Sequence, residues 1–169
     1  MDVLEIKYKV RDSWGNVRSE GHINLLIKGF FPCTKTEFKK LLQIIEMSEQ
    51  KDEILTQLEL ALPERIEQLK KEEADSMALA KEYARDYFSE TQKAADLKLQ
   101  LKSGKYPNGV TIPVYLRANM KDQLKDHKAR AKYNEDKARD KLYDAKRAVK
   151  NQTRMGDLIH YLAKYLQMG

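Results

Sequence analysis

The sequence predicts a predominantly helical α+β protein: an N-terminal β-hairpin plus helix (ββα), then a long antiparallel helical hairpin of coiled-coil character and a short C-terminal helix. Three observations carry this expectation. The N-terminal segment alternates apolar and polar residues with a period of two. Residues 64–101 and 118–154 contain neither Gly nor Pro, far beyond the typical helix of about 11–12 residues. Charged residues make up 34% of the 169, against seven Gly and four Pro, which favours solvated helices over a sandwich or barrel.

Leu4, Ile6, Tyr8 and Val10 alternate with Glu5, Lys7, Lys9 and Arg11, the pattern of a half-buried strand. Asp12 to Asn16 supply turn residues, and Ile23, Leu25 and Ile27 alternate again. Two strands alone are marginal in water, so their apolar face needs a cover. The cover follows: Thr34 and Glu37 have capping-box spacing, and Phe38, Leu41, Leu42 and Ile45 share one helical face. Ile54, Leu55, Leu58, Ala61 and Leu62 continue the helical period up to Pro63, which is expected to kink the chain or begin a new helix.

The chain is therefore divided into residues 1–62, the ββα unit with a further short helix, and residues 63–169, the long helical hairpin with its connecting loop 102–116 and closing helix. In that loop Tyr106-Pro107-Asn108-Gly109 is a turn signal. Val110, Ile112, Val114 and Leu116 alternate after it, and Pro113 confines them to an edge strand or an extended loop. Gly156 is expected to stop the second long helix. Leu158, Ile159, Tyr161, Leu162, Tyr165 and Leu166 then have the spacing of a short amphipathic helix that packs back on the body.

On a wheel of 100° per residue, Met120, Leu124, His127, Ala131, Ala138, Leu142, Ala145 and Val149 form one packing stripe. Ile66, Leu69, Met77, Ala80, Ala84, Tyr87 and Ala95 form its counterpart. Beside the first stripe lie Arg117, Lys121, Lys125, Lys128, Lys132, Arg139, Lys146 and Lys150, interrupted only by Glu135. This row would extend roughly 50 Å at about 1.5 Å per residue. Either it is a solvated, salt-bridged flank or it is a surface for phosphates or an acidic protein. Glu64, Glu72, Asp75, Glu82, Asp86 and Glu90 lie nearly opposite the other helix's stripe, badly placed to neutralise it. With one aromatic at its edge, Tyr143, the row offers little for base stacking on a single strand. The loop adds Lys102, Lys105, Tyr106 and Tyr115 at the tip of the hairpin, and loops on rigid scaffolds are favoured docking points. Trp14 is either an exposed anchor or packed on the cover helix.

Chemistry-bearing motifs are sparse. His22, His127 and His160 are scattered, and Asp136, Asp140 and Asp144 sit among lysines and arginines, so ion pairing is expected there and no metal. Cys33, the lone cysteine, is expected to be buried and structural, although its place before a helix start could lower its pKa. Phosphate-loop, dinucleotide, nucleophile-elbow and zinc-protease signatures are absent. No cofactor is expected, and no enzymatic activity. One cysteine, no membrane-length apolar run and no signal-peptide block point to a cytoplasmic protein.

The net charge is +6, but residues 49–103 carry 9 basic and 13 acidic side chains while 104–169 carry 15 and 7. The expected function is non-enzymatic binding, through the basic row and the tip, of a nucleic acid or of a protein in a nucleic-acid-handling complex. Steric inhibition or regulation is the expected mode, and a membrane is not an expected partner. By analogy of type alone this resembles accessory proteins of phages and other mobile elements that block host defence nucleases. The competing expectation is a structural or assembly protein whose hairpin self-associates, as a homodimer or larger bundle.

Overall fold

The computed structural model describes residues 2–168. β1 (Val3–Arg11) and β2 (Val17–Leu26) form a two-stranded antiparallel sheet with Leu4 opposite Leu25, Ile6 opposite Ile23 and Tyr8 opposite Gly21. Leu4 and Ile6 are fully buried. The Tyr8 ring lies over Gly21, where a β-carbon would come within 2.1 Å of it, so the absence of a side chain is what lets the ring cross the sheet. In the connecting turn Asp12 Oδ1 accepts from the backbone N–H groups of Trp14 and Asn16, each at 2.9 Å. Gly15 takes the left-handed conformation (φ 84°). Trp14 is 80% exposed and does not pack on the cover helix.

Ile27 leaves the strand alternation and starts the short α1 (Ile27–Phe30). Its N–H donates to Asp2 O, which ends the sheet, and the turn that follows drops Ile27 and Phe31 into the core. α2 (Lys35–Glu46) is the expected cover: Thr34 Oγ1 accepts from Glu37 N at 3.2 Å, and Phe38, Leu41, Leu42 and Ile45 are buried.

α3 (Lys51–Ser103) and α4 (Val114–Met168) correct two boundaries. No new helix starts at Pro63, because α3 runs through it. Proline in a helix interior costs about 3 kcal/mol. Its ring faces solvent, while Leu58, Ala61, Leu62 and Leu69 bury on the other side, and this burial outweighs the lost hydrogen bond. Likewise Gly156 does not stop the second helix: the expected closing segment is the last part of α4, held by the buried Met155, Leu158 and Leu162. The run Val110 to Leu116 is no edge strand. The sheet has two strands, and α4 begins at Val114.

The chain divides into two compact units. The first contains everything up to Glu73 and from Arg147 onward, and holds the large-side-chain core of sheet, α2, the start of α3 and the end of α4. Phe31, Phe38 and Tyr161 stack edge to face within it. Buried Arg65 donates Nε to Phe31 O at 3.0 Å, and Gln152 donates to Glu73 at 2.8 Å between the two long helices.

The second unit, Ala74–Lys146, is the antiparallel hairpin itself. Its connection is ordered by its own bonds. Gly104 (φ 71°) ends α3, Lys105 bridges Thr111, Tyr106 N donates to Val110 O, and Ile112 is buried between the helix ends. Along α4 covered positions recur at Met120, Leu124, His127, Ala131, Asn134, Ala138, Lys141 and Ala145, with Glu135 and Lys137 half-buried beside them. Along α3 they recur at Ser76, Ala80, Tyr83, Tyr87, Glu90, Ala94, Leu97 and Leu101, with Met77, Ala84 and Gln100 half-buried beside them. The steps alternate three and four residues, the 3.5-residue period of a coiled coil. A straight wheel drifts about 20° per heptad against this period. Hence Ala95, Leu142 and Val149, expected in the seam, are exposed, and Ala94 and Ala148 are buried instead.

Candidate nucleic-acid interface

The heptad frame gives every helical residue of the second unit a position around the hairpin. With the seam at a and d, antiparallel helices bring their e positions together on one side and their g positions together on the other. The e and b positions of α3 hold Lys81, Lys98 and Lys102, and those of α4 hold Lys121, Lys125, Lys128, Lys132, Arg139 and Lys146. Glu135 is the only acid on that side, and it pairs with Arg139 at 2.9 Å. Among the described residues no ion pair neutralises the other eight cations. The c and g positions collect Asp75, Glu82, Asp86, Asp96, Asp126, Asp140 and Asp144, tempered by Lys93, Arg130 and Lys137. One side of the hairpin is cationic and the other mainly anionic.

Most of the expected row lies on this face, with two exceptions. Arg117 falls in the seam: it is half-buried, its Nε has no hydrogen-bond partner, and its guanidinium packs beside Gly104. Lys150 belongs to the first unit. Lys81 and Lys98 come from the other helix and were missed, because cations 23 to 65 residues away in sequence join a row only once the helices pair; Lys102, expected in the tip loop, lies in the last turn of α3 and joins the row as well. At the tip Lys105 and Tyr115 are exposed, while Tyr106 is half-buried and its backbone closes the turn.

The acids divide differently from the wheel reading. Glu90 is not on the solvent face: its carboxylate meets His127 across the seam. The hydrogen bond from His127 holds the Glu90 carboxyl below the usual carboxylate range, against the opposing effect of burial and with help from the charges of His127, Lys93 and Arg130. Asp144 pairs with Lys141 at 3.8 Å, whereas Lys137 lies over the Tyr133 ring at 5.6 Å.

In the first unit Cys33, Asp157 and His160 line a single hollow of about 410 Å³, an arrangement the sequence spacing did not disclose. Burial, with the nearby Glu37 charge, pushes the Cys33 thiol up to about 12, the direction opposite to that of an activated nucleophile. No helix among the described residues is long and apolar enough to cross a membrane. No family model, no curated protein and no solved structure matches this chain.

Proposed function

We propose that this is a non-enzymatic binding protein that engages nucleic acid through the cationic face of the Ala74–Lys146 hairpin, and that it acts by occluding what would otherwise reach that nucleic acid. The observation that carries the reading is the segregation of charge: nine basic side chains and one internally paired acid on the e and b positions, with the acids gathered on the opposite side. Solvation alone requires no such sorting, since mixed charges solvate a helix equally well. A one-sided array of unpaired cations suits a one-sided polyanion, and phosphate contacts of this kind release counterions and weaken steeply with salt.

Reversing Lys121, Lys125, Lys128 and Lys132 to Glu should abolish binding while leaving helicity intact. The check is electrophoretic mobility of short DNA and RNA at low and physiological salt, beside circular dichroism of the variant. Unchanged binding by the variant would reduce the face to solvation. Absence of binding by the native protein at low salt would transfer the face to an acidic protein surface, such as a component of a nucleic-acid-handling complex.

Self-association is the second reading, and one observation favours it. The anionic c and g side of one hairpin complements the cationic side of another copy. That contact is heterologous, so it builds a ring or an open filament and not a two-fold dimer. It calls for a mass that grows with protein concentration and falls with salt in light scattering, where the first reading is satisfied by a monomer.

A further inference from the structure

We infer that the cationic face takes a single strand of nucleic acid rather than a duplex; this rests on the nucleic-acid reading above and narrows it. Three large aromatic side chains stand in solvent on or beside the face. Phe88 is 69% exposed, Tyr115 80% and Tyr143 67%. Phe88 occupies a b position of α3, between Lys81 and Lys98 along that helix. Tyr115 and Tyr143 are 28 residues apart, four whole heptads, so both hold the f position, which lies between the b row of lysines and the c row and also carries Asp122 and Asp136. They bracket the α4 segment from Lys121 to Arg139, and Tyr143 has Arg139 one turn before it and Lys146 one turn after.

The sequence pattern alone credits the row with one edge aromatic. Pairing of the helices supplies Phe88 from the other strand of the hairpin, and the 3.5-residue frame aligns Tyr115 with Tyr143. Among the described residues no ring or cation packs against Tyr115 or Tyr143, and the one ring beside Phe88 is Tyr87, edge to face at 5.4 Å. A duplex hides the faces of its bases within the stack, so a protein that reaches only its phosphates gains nothing from exposed rings. A single strand presents phosphates and unstacked base faces together, and the surfaces that bind it combine cations tracking the backbone with aromatic platforms. Cations with free rings beside and among them match that combination. They do not match a plain phosphate rail.

The test is fluorescence anisotropy of a labelled oligonucleotide of about 16 nucleotides, as a single strand and as its duplex, in DNA and RNA forms, at low salt. It compares the native chain with the triple variant Phe88→Ala, Tyr115→Ala, Tyr143→Ala, and with the conservative triple Phe88→Tyr, Tyr115→Phe, Tyr143→Phe. All three positions are exposed, and equal thermal melts certify the fold. The native chain should bind the single strand at least about tenfold more tightly than the duplex. The alanine triple should lose at least about tenfold on the single strand and little on the duplex, and the conservative triple should retain binding. A duplex bound as tightly as the single strand, or an alanine triple that binds like the native chain, overturns the inference; the loss on charge reversal at Lys121 to Lys132 then still upholds phosphate binding by the face. No binding to either form at low salt takes both readings down.

Discussion

Glu90 and His127 show how a polar pair survives in a seam whose fully buried positions are mostly alanine. Each meets the other across the helix interface, so neither loses water without a replacement partner. The Glu90 carboxyl is held below its ordinary range. The unfolded chain titrates near the reference value of about 4.3. The stabilisation is therefore complete above that value and is lost as pH falls through the lower, folded-state pKa. Urea unfolding followed from about pH 6 to below about pH 4 should show the native protein losing stability faster than Glu90→Gln, with the two curves converging at the acid end. Parallel curves would mean that the pair carries no linked proton. Cys33 illustrates the opposite environment: its thiol is held protonated by burial, so proximity to His160 around one hollow confers no nucleophilic character.

At the scale of elements, helix boundaries respond to the burial around them more than to the residues that usually end helices. Gly156 sits in the interior of α4, and a β-carbon built on it meets nothing within 4 Å. Gly156→Ala should therefore stabilise the protein by about 1 kcal/mol, seen as a raised midpoint in thermal or urea unfolding, since alanine removes the entropy cost of glycine without a clash. A lower midpoint would point to a required departure from helical geometry there. The same logic explains what the sequence made legible. The strand alternation, the Thr34 cap and the two long helices are local signals and were readable directly. Pro63 and Gly156 misled because the residues that override them, Leu69 for one and Met155 for the other, act through tertiary contacts that no local window contains. The seam was readable in outline, but the 100° wheel carried Leu142 and Val149 into it, and only the alternating three- and four-residue steps remove them. The candidate face was half legible: the α4 lysines follow from one helix, whereas Lys81, Lys98 and Phe88 require the pairing.

At the scale of the whole molecule, the two units differ in what they bury. Phe31, Phe38, Leu58, Leu62 and Met155 fill the first, while Ala80, Ala94, Ala131 and Ala145 make up much of what is buried in the second. Small side chains remove less apolar area from water, and stabilisation scales with that area. Native-state hydrogen exchange should accordingly give higher protection for amides of residues 54–69 and 155–162 than for 80–94 and 124–145, with binding of an oligonucleotide raising protection in the latter. Uniform protection along both helices would contradict the division. The seven-residue period of the seam has a further consequence, for how such a chain can change over generations. Removing or adding one heptad in α3 together with the heptad it faces in α4 alters reach by about 10 Å and keeps every remaining residue on its own side. A lone insertion rotates all that follows. The hairpin is thus a graduated ruler whose length is free to vary only in paired, whole steps.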